Sequence, residues 1–383
     1  MTSDPRIGAI ALPDTRARRI VERLLEGSGV ALNGGAPWDM QVLHPDLFSR
    51  LLHQGTLGLG EAYMEGWWQC ERIDEMIHRM LRHGLGERAH TPSERMLYRL
   101  QTGLFNLQSK ARAYIVGEAH YDLGNDLFER MLDPTLCYSC GYWKEANSLH
   151  EAQLAKLDLA ARKLGLAPGM HVLDIGCGWG SFAEHAVRHY GVEVTGITIS
   201  REQAELARRR CQDLPVTILL QDYRELEGHY DRIVSIGMFE HVGHRNYRTY
   251  FDTVSHLLVP DGLFLLHTIG SNNSGISADP WIHKYIFPNG VLPSAMHLAR
   301  ASEPYLLMED WQNFGADYDH TLMAWLQNFD ARWPEIAERY NETTRRMFRY
   351  YLSACAGAFR ARDLQLWQVV FSRGREGRYD AAR

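Results

Sequence analysis

Three glycines at alternate positions, Gly176, Gly178 and Gly180, follow a short apolar run in which Val172, Leu173 and Ile175 flank Asp174. Such a run reads as a buried strand, a tight turn and then a helix. Glycine lets the backbone close on a ligand there, because it has no Cβ and tolerates positive φ. A dinucleotide-binding turn would put its third glycine at Ser181 and an acid where the next strand ends in Thr198. The acid here instead precedes the glycines, at Asp174. Glu240, His241 and His244 raise a metal site, but the His-x-x-Glu-His zinc pattern would need histidine where Gly237 stands. No metal is expected, and Glu240 reads as an active-site carboxylate. Cys137 and Cys140 form a Cys-x-x-Cys pair without a second pair, among the aromatic residues Tyr138, Tyr142 and Trp143. The motifs of phosphate-loop, zincin and serine-hydrolase enzymes are absent, which disfavours those classes.

Strand-like runs at 171–175, 192–197, 216–220, 231–236 and 262–267 alternate with helical runs at 181–189, 201–211 and 247–258. That alternation predicts an α/β fold, a parallel sheet with helices on both faces. Ligands bind such sheets at the carboxyl ends of the strands. Gly176, Thr198, Asp222 with Tyr223, Glu240 and His267 all fall there. Beyond the fifth run, Trp281, Tyr285, Phe287, Trp311, Phe314 and Tyr318 precede a helical stripe of Leu322, Trp325, Leu326, Phe329 and Trp333. Most of the stripe reads as core and part of it as the wall of a pocket for a long apolar substrate. Upstream, helices are predicted over 15–25 and 47–52, and Tyr63, Trp67 and Trp68 centre a small N-terminal domain over 1–85. A linker and a basic helix carrying Arg95, Arg99, Lys110 and Arg112 follow over 86–115, then a catalytic domain over 116–383.

The 383 residues are 45% hydrophobic and 23% charged, ordinary globular proportions, and the net charge of −6 argues against nucleic acid as a partner. No apolar run reaches the roughly 18 residues of a membrane span, and residues 7–12, flanked by Asp4 and Asp14, do not read as a signal peptide. Six scattered cysteines fit reduced thiols, so a cytoplasmic protein is expected.

The glycine turn with its leading acid resembles the first motif of S-adenosylmethionine (SAM)-dependent methyltransferases. The resemblance sharpens with further stretches: His120-Tyr121-Asp122-Leu123-Gly124-Asn125-Asp126, Tyr138-Ser139-Cys140, Ile197-Thr198-Ile199-Ser200 with Gln203, Phe239-Glu240-His241-Val242-Gly243, His267-Thr268-Ile269-Gly270 and Phe314-Gly315-Ala316-Asp317-Tyr318. Together they resemble the bacterial cyclopropane-fatty-acyl-phospholipid synthases along the whole chain; the mycolic acid cyclopropane synthases share only the catalytic part. The resemblance implies a Rossmann-like class I methyltransferase fold with a mostly parallel seven-stranded sheet. It also implies methylene transfer from SAM to the cis double bond of a phospholipid acyl chain. Tyr138, Ser139 and the turn of Val172, Leu173, Asp174, Ile175, Gly176, Cys177, Gly178, Trp179 and Gly180 would hold the methionine part of SAM. Thr198 and Gln203, with Ile199 and Ser200 between them, would take the ribose, and Asp222, Tyr223 and Arg224 would border the adenine. A bicarbonate ion would lie among the backbone at Cys140 and Ile269 and the side chains of Glu240, His267 and Tyr318. Peripheral association with the inner face of the cell membrane and a homodimer are implied in the same way.

Cys355 matches a position at which the family has been described with a catalytic cysteine, but residues 353–358 read as a closely packed small-residue helix. The arginine-rich stretch 331–383 suggests that Arg345, Arg346 and Arg349, or the basic helix before the catalytic domain, touch anionic headgroups. Two other readings stand beside this one: methylation of a small amine or phenol, and non-catalytic lipid binding.

Overall fold

Each apolar run between 171 and 271 is bounded by polar or glycine-rich turns, and most are followed by a helix long enough to return the chain to the same sheet edge, so the strands run parallel. The computed structural model describes residues 8–85, 124–275 and 279–383. In it the runs are β1 (His171–Ile175), β2 (Glu193–Thr198), β3 (Val216–Leu220), β4 (Tyr230–Ile236) and β5 (Leu258–Ser271). With β6 (Leu307–Asn313) and β7 (Leu364–Ser372) they make one seven-stranded sheet of order β3-β2-β1-β4-β5-β7-β6. Pairings from β3 across to β5 are parallel, and β6 is antiparallel to β7. The order reverses between β1 and β4, which is where an open α/β sheet leaves a crevice at its carboxyl edge.

Local signals start the helices that cover this sheet. Ser148 caps the helix Leu149–Lys163 by accepting from Glu151 N, and Ser200 caps Arg201–Arg210 by accepting from Gln203 N. Leu173, Ile175, Ile233, Phe251, Phe264 and Phe371 anchor one buried cluster, and Val172, Phe182, Val194, Val234 and Leu265 a second. Alternate residues of β1 and β4 thus feed opposite faces, as the period of two demands. β5 is longer than the 262–267 expected. β6 escapes sequence reading because its residues are mostly half-buried without alternation, and β7 because it is buried nearly throughout.

The described chain divides into two units. The sheet belongs to one, residues 124–275, 289–321 and 365–383; the other gathers 8–85, 279–288 and 322–364. In the helical unit, the helices Arg16–Leu25, Leu47–Met64 and Ile73–Arg82 are joined by Pro280–Tyr285 and Glu342–Arg360. The helix expected over 47–52 continues to Met64 across a break at Gly55, whose φ of 54° and ψ of −131° interrupt it. Trp68 and Tyr63 are buried as expected, with ring centroids 4.9 Å apart, and Trp281 and Tyr350 complete their cluster at 4.7 Å from each other. Trp67 stacks instead on His44 at 4.0 Å. Because that core draws on residues far downstream, the division differs from the single boundary expected between 1–85 and 116–383. The linker over 86–115 and the motif residues 120–123 lie outside the described residues.

Of the three arginines expected to meet headgroups, Arg345, Arg346 and Arg349, two make close contacts inside the helical unit. Arg346 donates to Tyr63 O at 2.5 Å and Trp68 O at 3.0 Å, Arg349 pairs with Asp330, and Arg345 reaches Glu342 at 3.6 Å. Arg346 and Arg349 are thus engaged within their own unit, whereas Arg345 Nε is buried without a hydrogen-bond partner and its Nη1 makes only the longer pairing to Glu342. Among the described residues no helix is long and apolar enough to cross a membrane.

Candidate active site

β1 delivers the glycine turn to the crevice. Gly176, Gly178 and Gly180 have φ of 83°, 54° and 82°, a region closed to most side chains. Gly176 and Cys177 both donate their N–H to Ile197 O at 2.9 Å, tying the turn to β2. A Cβ at 176 would meet Met238 at 2.7 Å, whereas one at 178 would meet nothing within 4 Å. The middle glycine therefore faces open space beside the turn. Val172, Leu173 and Ile175 are buried core side chains, so of this run Asp174 and the turn remain to meet a ligand. Asp174 Oδ2 is buried with no hydrogen-bond partner, and burial raises its carboxyl to about 7 against the pull of Lys156. An open glycine face beside an unsatisfied carboxylate fits the amino-acid end of SAM.

Around the turn, Trp179 donates Nε1–H to Asn125 Oδ1 at 3.1 Å, and its ring meets Phe128, which in turn meets Tyr138. Thr198 donates its hydroxyl to Gln203 Oε1 at 2.8 Å, a preformed pair at the end of β2, while Ser200 is occupied as the helix cap and Ile199 is half-exposed. Arg224 takes both oxygens of Asp222, at 2.7 and 2.6 Å, and Tyr223 packs inward against Tyr250 at 5.2 Å. The Asp222 carboxylate is therefore engaged by Arg224, and the Tyr223 ring belongs to the core.

The second half of the site comes from β4, β5, β7 and the helix Asp317–Arg332. Glu240 sits in a single 3-10 turn, Phe239–His241, just beyond β4. Its Oε1 accepts from Ile269 N at 2.6 Å, so the amide of Ile269 orients the carboxylate. Its Oε2 is buried without a partner, and burial raises the group to about 7. His267, at the register position facing Ile236, has Nε2 buried without a partner and Nδ1 3.3 Å from Gln368 Nε2. An amide proton given to Nδ1 leaves the imidazole proton on Nε2 as a donor. Burial, with help from Lys156 and Lys163, drives His267 well below its ordinary value, so the ring is neutral.

Phe314 lies 5.7 Å from the His267 ring and 5.2 Å from Tyr142, and it donates its N–H to Leu366 O at 3.1 Å. Buried Tyr318 follows on the helix. Cys140 is wholly buried and its thiol is held well above its ordinary value by burial, which leaves the backbone as its useful part. Cys355 lies apart, on the helix Glu342–Arg360 of the helical unit, and burial pushes its thiol up to about 12, the wrong direction for a nucleophile. Gln368, Thr321 and Lys156 were missed by sequence reasoning. The one signal for Gln368 was a polar residue inside an otherwise apolar run.

This strand order, with the glycine turn after β1, is that of the SAM-dependent methyltransferases. The cyclopropane synthase MmaA2 from Mycobacterium tuberculosis matches it with a TM-score of 0.64 at 34% identity, over 67% of this chain and 97% of that one. The mycolic acid cyclopropane synthase CmaA1 complexed with SAH and CTAB matches at 0.63 and 35%, with the same coverage. In sequence, the chain is 58% identical to the cyclopropane-fatty-acyl-phospholipid synthase of Escherichia coli (strain K12), over 98% of this chain and 99% of the relative. The mycolic acid cyclopropane synthetase family profile spans residues 108–369, and the chain belongs to that family.

Proposed function

We propose that this protein converts cis-unsaturated acyl chains of phospholipids into cyclopropane chains with SAM as the carbon donor, working peripherally at the membrane surface. One observation carries the reading beyond simple methylation: a buried, partnerless acceptor and donor, Glu240 Oε2 in the turn just beyond β4 and His267 Nε2 on β5 at the level where β4 ends. The near-full-length likeness to a phospholipid-acting relative supports the lipid substrate.

When bound, SAM supplies an electrophilic sulfonium methyl. An alkene is a weak nucleophile, so holding the two reactants in line is the chain's main contribution, and the turn at 176–180 with the Thr198–Gln203 pair fixes the donor. Methyl transfer leaves a carbocation on the acyl chain, and a proton must leave the new methyl before the ring closes. That proton is acidic enough for a weak base, and bicarbonate would supply one. Glu240 Oε2 offers it an acceptor and His267 Nε2 a neutral donor, with the Cys140 backbone and Tyr318 completing the enclosure. Buried Phe239 and Phe314 and the half-buried Tyr142 and Met238 keep water from the cation.

The test is to incubate the purified protein with SAM, bicarbonate and vesicles of cis-unsaturated phospholipid, and then weigh the acyl chains. A gain of one methylene with loss of the alkene is expected. Unchanged lipid, with methylation of a small amine or phenol in its place, would overturn the reading.

A further inference from the structure

The Thr321 hydroxyl has all of its hydrogen-bonding capacity in use, deep in the sheet unit. Thr321 is 0% exposed. Its Oγ1 accepts from Gly141 N at 3.1 Å and from Trp143 Nε1 at 2.8 Å, and donates to Asp317 O at 3.0 Å. The same oxygen lies 3.8 Å from Cys140 Sγ. A hydroxyl has one proton and two lone pairs, and all three are committed. Asp317 adds a parallel tie, accepting from Trp143 N at 2.7 Å through Oδ2. One helical turn, residues 317–321, thus fastens segment 140–143 to the residue that follows Asp317, which is Tyr318. The preceding residue is held by the helix Leu149–Lys163: Lys156 donates to Ser139 Oγ and Gln153 Nε2 to Ser139 O, both at 2.8 Å. Tyr142 N also donates to Ala152 O at 2.8 Å, so the helix Leu149–Lys163 holds both ends of the loop, and Thr321 and Asp317 add a tie that only the 140–143 end has.

We propose that Thr321 is a positioning residue for proton removal, setting the Cys140 backbone against Tyr318 without touching cofactor or lipid. This rests on the ring-forming reaction argued above. The chemistry provides a readout that a general loss of stability would not move. Once the methyl has bonded to one alkene carbon and the sulfur has left with its electron pair, the cation can lose a proton from the new methyl or from a chain carbon beside the cation. Loss from the new methyl gives the C–C bond of the ring. Loss from the adjacent chain carbon gives a methyl-branched alkene of the same composition. With trideuteriomethyl SAM the ring retains two deuterons and the branched alkene three, so mass and alkene reactivity separate them.

Replacing Thr321 with valine preserves shape but strands two donors, the buried Gly141 N–H and the part-buried Trp143 Nε1–H; serine keeps the hydroxyl. Wild type, Thr321→Val and Thr321→Ser are compared for SAM affinity, total methyl transfer and the ratio of the two products. We expect Thr321→Val to hold SAM within about threefold of wild type while ring formation falls on the order of tenfold or more against methyl transfer, each 1.4 kcal/mol being tenfold. Thr321→Ser should restore the ratio. An unchanged ratio in Thr321→Val, whether turnover is normal or uniformly lowered, would overturn the proposal. So would failure of Thr321→Ser to restore a changed ratio. If Thr321→Val does not fold, Asp317→Asn, which weakens only the parallel tie, must still shift the ratio in the same direction. Absence of any ring product from wild type would count instead against the ring-forming reading.

Discussion

Glu240 and His267 are shaped by burial in opposite senses. Loss of water raises the carboxyl to about 7 and drives the imidazole well down, so near neutrality one is an acceptor being charged and the other a neutral donor. Glu240 must be ionised to accept on both oxygens, so at fixed bicarbonate kcat/KM should fall about tenfold per pH unit below roughly 7. A pH profile of Glu240→Gln lacking that limb, at a rate lowered on the order of a hundredfold, would confirm the assignment; a retained limb would refute it. Stability runs the other way. A carboxyl raised on folding stabilises fully below its unfolded value and loses that contribution as pH rises through about 7. The same Glu240→Gln variant should therefore gain on the order of 2–3 kcal/mol above neutrality in denaturant titrations.

Elements meet most closely where glycine permits it. Gly357, on the helix Glu342–Arg360, lies so near the helix Ile73–Arg82 that a Cβ would sit 2.4 Å from Asp74 O and 3.0 Å from His78 N. Arg360 and Arg72 both pair with the buried Asp74 carboxylate at 2.8 Å, holding it below its usual range. Gly357→Ala should cost about 1–3 kcal/mol through overpacking against backbone that cannot yield, read as a lower denaturation midpoint. An unchanged midpoint would mean the two helices do not meet as described. This contact also shows where sequence reading ends. Strands β1 to β4 and their helices are legible because apolar runs bounded by turn residues and Ser148- or Ser200-type caps are local signals. That Gly357 docks on Asp74, or that Trp281 shares a core with Tyr63, depends on partners hundreds of residues apart. The same holds within the site: the glycine turn, Glu240 and His267 announce themselves at strand ends, but Thr321 and Gln368 act only through the residues folding brings beside them.

For the molecule as a whole, the sheet unit supplies every residue argued to act on SAM and on the acyl chain, while Cys355 sits in the helical unit with a thiol pushed up to about 12. The central claim is that transfer of a methyl is followed by removal of one of its protons. The most direct test uses wild-type protein, trideuteriomethyl SAM and vesicles of cis-unsaturated phospholipid, followed by mass spectrometry of the released acyl chains. A saturated ring carrying two deuterons is the expected product. Chains retaining all three deuterons, or no labelled chains from protein that binds SAM, would contradict the account.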